Sequence, residues 1–208
     1  MKFKKIGIIG GMGPESTALL YKHIIELCQT KFNSFHDGDF PEIIIYNLPI
    51  PDITKPITRD QEVKKQLHKA LSLFQFAHVD FIAFPCNTLS YFVDYLKSKS
   101  QIPIIDIVEE TARYIKSLNI DCVVLFGTET TIRKNVYARY LKNMKIRKPK
   151  DQREIINLIY RVMKGKGTSR ELNTLIGEYT KKNHLLFSGV RIFLFYLKRL
   201  NLNMLLIH

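Results

Sequence analysis

Val79-Asp80-Phe81-Ile82-Ala83-Phe84-Pro85-Cys86-Asn87-Thr88, followed by the helix-forming stretch 89–99, decides how this chain folds. An apolar run of strand length, a short polar turn and a helix make one strand–turn–helix unit. Such a unit places the turn at the carboxyl end of a strand, facing a helix N-terminus. That position lowers a thiol's pKa and makes Cys86 a candidate base or nucleophile. Asn87 and Thr88 add donors for a carboxylate or an enolate-like oxygen, and the first helical amides can hold an anion. Cys86 reads equally well as a small buried hydrophobe, since free cysteine is among the most buried residue types.

The same unit repeats outward. Residues 5–9 form an apolar strand closed by Gly10-Gly11-Met12-Gly13-Pro14, and 15–29 carry helical apolar spacing (Leu19, Leu20, Ile24, Leu27). Residues 42–47 read as a second strand, and 48–57 are too rich in proline for regular structure and lie over a cleft. An amphipathic helix over 60–77 leads into the strand at 79–84. Residues 102–107 restart the pattern with a strand and 108–118 with a helix. A further strand at 121–126 ends in Gly127-Thr128-Glu129-Thr130-Thr131, with a helix predicted over 132–143. Residues 154–163 and 169–181 read as helices split by Lys164-Gly165-Lys166-Gly167, and 185–187 as one more strand. Strands alternating with helices predict an α/β fold of parallel sheets flanked by helices. Two polar-tipped strand ends predict two similar lobes, 1–100 and 101–189, with the active-site cleft between strand termini. Residues 190–208 form an atypical apolar tail, so the C-terminal strand and helix are expected to be missing or altered.

Length and composition bound the function. With 208 residues, 46% hydrophobic and 25% charged, the chain has the make-up of a globular protein with ample core. No apolar run reaches 18 residues, so neither a membrane span nor a secretory signal is expected. Three scattered cysteines without zinc spacing fit reduced thiols in the cytoplasm. The six histidines show no pair at ligand spacing with a carboxylate, and no metal is expected. The 32 basic and 19 acidic residues give a net charge of +13. The lysines are dispersed over helix faces and no nucleic-acid module is present, so the charge reads as a solvated surface rather than a nucleic-acid interface. The glycine turn lacks GxGxxG spacing and carries a proline at the helix start, which argues against dinucleotide binding. Its backbone amides, around Met12 and Gly13, can still meet a small anion.

Gly10-Gly11-Met12-Gly13-Pro14 with Thr17, Ile50-Pro51-Asp52, Pro85-Cys86-Asn87-Thr88 and Val108-Glu109-Glu110-Thr111 together resemble the aspartate/glutamate racemase family, the cofactor-independent amino-acid racemases. The likeness runs in order from about Lys5 to Tyr179. It implies two-base chemistry on a small amino-acid substrate, without pyridoxal phosphate or metal. Two cysteines, one per lobe, flank the substrate Cα; one thiolate removes the α-proton and the other thiol returns one on the opposite face. The α-proton is very weakly acidic, so such a cleft must hold the carboxylate with preorganised donors in a dry pocket. Carried over by position, Cys86 matches the first catalytic cysteine, and Asn87 and Thr88 match substrate-binding residues. Asp52 sits on the cleft loop, Met12 and Gly13 on the glycine turn, and Thr128 on the facing strand-end loop. Lys164 matches a lysine that approaches the substrate from the second lobe. The resemblance also implies a homodimer.

The departures are specific. The second cysteine belongs in a Gly-Cys-Thr-Glu motif, where this chain has Ser188-Gly189-Val190-Arg191-Ile192. Val190 therefore stands at the second acid/base position, and valine carries no proton. Cys122 opens a strand rather than ending one and is no substitute. Ile53 stands where an arginine for a side-chain carboxylate is expected, and Leu89-Ser90 replace a small residue and histidine. Gly-Val-Arg written as GGT-GTA-CGN contains TGT-ACG, Cys-Thr, one base out of frame, which suggests a frame shift near Ser188. The gene's alternative frame decides that point. Three readings follow: a racemase with one cysteine replaced, a one-sided acid/base catalyst, and a ligand-binding remnant of a racemase, including a frameshifted product.

Overall fold

The computed structural model describes residues 2–51, 59–118, 120–166, 174 and 185–188. Among them, β1 (Ile6–Gly10) is a fully buried apolar run. It turns through the glycines into α1 (Pro14–Phe32), where proline occupies the first helical turn with its fixed φ and no amide to waste. Helix α1 stops at Asn33, in the left-handed conformation at φ 56°. Next come β2 (Ile43–Asn47), α2 (Asp60–Phe76) and β3 (Phe81–Phe84). After β3 a 3-10 turn, Leu89–Phe92, leads into α3 (Val93–Lys99), followed by β4 (Ile104–Asp106) and α4 (Ile107–Ser117). The remaining elements are β5 (Cys122–Phe126), α5 (Glu129–Arg133), β6 (Lys145–Arg147), α6 (Gln152–Met163) and β7 (Leu185–Ser188).

The strands form two parallel sheets, ordered β2-β1-β3-β4 and β6-β5-β7. The first is covered on both faces, as buried parallel strands require. Alternation along β3 divides its side chains: Phe81 and Ala83 join the α1 and α4 side, while Ile82 and Phe84 join α2 and α3. Helix α2 presents Val63, Leu67, Ala70, Leu71 and Phe74 at helical spacing to that second side. A Cβ on Gly7 would stand 3.0 Å from the Phe74 ring, so the strand is bare there to let the helix close in. One apolar cluster continues from Ile6 and Ile8 through Ile107, Val108, Ala112 and Ile115 of α4 to Val123 and Leu125 of the second sheet. The opposite face of β5, Val124 and Phe126, packs on Ile155 and Leu158 of α6.

Three expectations change. The strand predicted at 102–107 to open the second half pairs with β3 instead, Ile82 against Ile104, and closes the first sheet. A parallel strand has no hairpin to fix its neighbour, and α4 carries the chain across only afterwards. The helix predicted over 132–143 is the five-residue α5, followed by turns, and the basic stretch near 145 supplies an edge strand. The helix predicted over 169–181, apart from residue 174, and the tail 190–208 lie outside the described residues.

Candidate functional site

Both sheets aim their strand ends at one place. Strand β3 ends at Phe84, and Cys86, Asn87 and Thr88 make the turn that follows. Strand β5 ends at Phe126, and Gly127 and Thr128 make its turn. The two turns meet through hydroxyls: Thr88 Oγ1 lies 3.0 Å from Thr128 Oγ1 and 3.3 Å from Thr131 Oγ1, while Thr128 and Thr131 are 2.9 Å apart. Each hydroxyl both donates and accepts, so three can close a ring. Thr128 also caps α5, accepting the Thr131 amide at 3.2 Å.

Cys86, two residues before Thr88, has only 5% of its surface exposed, inside the cluster of Leu48, Leu89, Phe92 and Val93. The Leu89 amide points at its sulfur at 3.5 Å. Its thiol is nevertheless pushed up to about 12, where the sequence reading expected it lowered. Burial is the largest cause; the Leu89 and Thr88 amides pull it down, and the negative charge of Asp106 pushes it further up. The helix-end effect is present but is outweighed by removal of the thiolate from water.

Asn87, half-buried, accepts a hydrogen bond from the Tyr137 hydroxyl through its Oδ1. That pairing leaves the amide NH2 as the end free to serve a ligand. Met12 packs against the apolar cluster that holds Cys86. Gly13 caps α1, its carbonyl accepting from the amides of Ser16 at 3.2 Å and Thr17 at 3.3 Å. The Gly11 amide is already engaged by Thr17 Oγ1 at 3.0 Å, so the glycine turn is braced by its own helix.

One predicted residue stands apart. Lys164 is exposed at the C-terminal cap of α6, whereas the start of that helix faces the site, with Gln152 Nε2 donating to the Gly127 carbonyl at 2.9 Å. Twelve helical residues separate the two ends by about 18 Å. Asp52 and Val190 lie outside the described residues; β7, which leads toward Val190, ends at Ser188 level with Phe126.

Four residues escaped the sequence reading: Asp106, Thr131, Tyr137 and Arg139. Asp106, fully buried behind the Cys86 turn, pairs with Ser90 and sits 4.0 Å from Arg139. Burial pushes its carboxyl up to about 6, against the pull of Ser90, the Val108 amide and Arg139. Arg139 reaches Asp94 at 2.6 Å and the Ser90 carbonyl at 3.0 Å, tying the segment after α5 to the turn after β3. The available signal was an aspartate inside the apolar run Ile104-Ile105-Asp106-Ile107-Val108. Among the described residues no group of three His, Cys, Asp or Glu side chains could hold a metal ion, and no helix is long and apolar enough to cross a membrane.

Comparison with known proteins points one way. The family model for Asp/Glu/Hydantoin racemase matches residues 9–182. The broad specificity amino-acid racemase RacX of Bacillus subtilis is 38% identical over 138 residues, which cover 66% of this chain and 60% of that protein. The match therefore spans less than two thirds of this relative. An aspartate racemase homologue from Pyrococcus horikoshii superimposes with a TM-score of 0.72 at 25% identity, over 94% of this chain and 98% of the other. Aspartate racemase of Picrophilus torridus gives 0.69 at 21% identity, over 94% and 93%, a likeness of fold.

Proposed function

The chain belongs to the Asp/Glu/Hydantoin racemase family, and we propose that it acts on a small amino acid by cofactor-independent proton transfer at Cα, with Cys86 as the acid/base. The observation that carries this reading is the convergence of two strand ends. Cys86 leads, two residues on, to a threonine whose hydroxyl meets Thr128 of the other sheet at 3.0 Å. That convergence supports a thiol acting next to the seam where an open α/β fold takes its ligand.

The chemistry asks for a thiolate. Lifting the thiol from 9.0 to about 12 costs about 4 kcal/mol in forming that thiolate at fixed pH. An α-ammonium about 4 Å from the sulfur returns about 4 kcal/mol at an effective dielectric of 20. The substrate's own charge thus supplies the activation, and without substrate the thiol stays largely protonated and reacts slowly. The thiolate takes the α-proton, and the electron pair it leaves at Cα delocalises onto the carboxylate. The Asn87 NH2 is the donor free to hold that carboxylate, joined by a threonine hydroxyl when it turns out of the ring, since the carboxylate's charge grows as the proton leaves.

Val190, at the position where the family resemblance puts the second cysteine, carries no proton to give, which favours a second reading, return of hydrogen by Cys86 to the face it came from. Exchange with retention then exceeds inversion. Incubation in D2O with a panel of acidic and neutral L-amino acids, read by loss of the α-proton signal and by chiral chromatography, separates the two. Deuterium gain with D-enantiomer formed supports racemisation, and gain without it supports the one-sided catalyst. No exchange by the folded chain, or equal exchange in Cys86→Ala, overturns both.

A further inference from the structure

Behind the Cys86 turn the hydrogens do not add up for an ionised Asp106. The Ser90 hydroxyl faces two acceptors, the Cys86 carbonyl at 2.8 Å and Asp106 Oδ1, and it has one hydrogen to give. Ser90 and Asp106 are both fully buried, so water cannot make up the shortfall. Asp106 Oδ2 has no partner in hydrogen-bond geometry among the described residues, although the Val108 and Glu109 amides at the start of α4 lie near enough to draw the carboxyl down. The nearby guanidinium bonds elsewhere, Arg139 Nη1 to Asp94 and Nη2 to the Ser90 carbonyl, and Nη2 stays 4.0 Å from Asp106 Oδ2, beyond hydrogen-bond reach. A bare carboxylate oxygen in that setting is costly, and the carbonyl-like oxygen of a neutral acid far less so.

We propose that Asp106 is a positioning residue that holds a proton for the Cys86 turn: as a neutral acid it donates to Ser90, which is then free to donate to the Cys86 carbonyl, and it keeps that proton when Cys86 is a thiolate. Burial favours the acid form, raising Asp106 to about 6, and the charge of Asp106 in turn raises Cys86. Linkage makes the second relation mutual: a thiolate at Cys86 raises the proton affinity of Asp106. The buried pair therefore carries one negative charge at a time. When Asp106 ionises, the Ser90 hydroxyl turns to it and the Cys86 carbonyl keeps only the Ser90 amide, at 3.1 Å. The charged and titratable groups facing Asp106 are the Cys86 thiol, Arg139, Tyr137 and Tyr140, with Asp94 acting through Arg139, and the Val108 and Glu109 backbone amides of α4 also draw its carboxyl down.

The proposal rests on Cys86 as the acid/base for its purpose, but its test needs no turnover. In the variant Asp106→Asn the new side-chain amide can donate to Ser90 permanently without charge. Alkylation of Cys86 by a small thiol reagent at pH 8, followed by peptide mass spectrometry, is expected to run about three- to tenfold faster in D106N, the effect of half to one pKa unit. A residue serving only as packing gives equal or slower labelling, and that result overturns the proposal. In the unaltered protein, the Asp106 carboxyl 13C shift is expected to titrate near 6. A midpoint in the ordinary carboxylate range overturns the proposal even if the variant fails to fold. Absence of α-proton exchange, with both of these results as expected, removes the catalytic reading and leaves the proton count standing.

Discussion

Substituting Thr128→Ala tests whether the two sheets are joined by the threonine ring. The change removes the cap on α5, whose loss typically costs about 1 kcal/mol. It also removes two sides of the triangle, at 3.0 Å to Thr88 and 2.9 Å to Thr131. Thr88 and Thr131 are 6% and 1% exposed, so their hydroxyls are left to pair with each other at 3.3 Å. Since Thr128 itself is half-exposed and water replaces part of the loss, the net contribution of those two bonds is about 1 kcal/mol. The sum, about 2 kcal/mol, lowers Tm by about 4–8 °C for a chain of this size. Thermal melts of the wild type, T128A and T128S measure it, with serine restoring most of the loss because it keeps the hydroxyl. A cycle with Thr88→Val isolates the link between sheets, with an expected coupling of about 0.5–1.5 kcal/mol. A zero coupling, or T128S melting with T128A, refutes the reasoning.

Gly11→Ala strains the turn after β1, because φ there is +91° and the new Cβ would stand 2.9 Å from the Leu48 amide nitrogen. A loss of about 1–3 kcal/mol in urea unfolding is expected, and an unchanged midpoint contradicts it. Asp106, with its folded-state pKa of about 6 above the ordinary 3.8, binds its proton more tightly folded than unfolded. Its favourable contribution is thus full below pH 3.8, is lost as pH rises through 6, and amounts to about 3 kcal/mol. The stability of D106N relative to wild type should therefore rise between pH 5 and pH 8 in urea titrations; a constant difference contradicts the sign. Val190→Cys restores a thiol where the family places the second base, and is expected to convert one-sided exchange into inversion, read as D-enantiomer by chiral chromatography. Retention unchanged in V190C speaks against that assignment.

Much of this was legible from local pattern. The strand–turn–helix at 79–99 and the glycine turn before Pro14 named the chain's βα units, and motif order gave the family before any coordinates. What escaped was set by tertiary surroundings. A strand's neighbours are invisible in its own residues, so Ile104–Asp106 was placed in the wrong half. Lys145–Arg147 is three residues long, and its two exposed cations read as surface rather than as an edge strand. The thiol's position at a helix start could be read locally, but the apolar cluster that dehydrates it also draws Leu48 and the α2 residues Val63 and Leu67 from distant segments. Tyr137 and Arg139 reach the turn from about 50 residues away, |i−j| being 50 and 49.

The ring of three threonines has a mechanical side. A hydroxyl rotor can trade one acceptor for another without leaving a fixed partner behind, unlike a forked guanidinium locked to a carboxylate. A small shear along this seam swaps bonds instead of breaking them. At the threonines the joint can therefore slip, while the Arg139–Asp94 pair and the shared apolar cluster act as its fixed pivot.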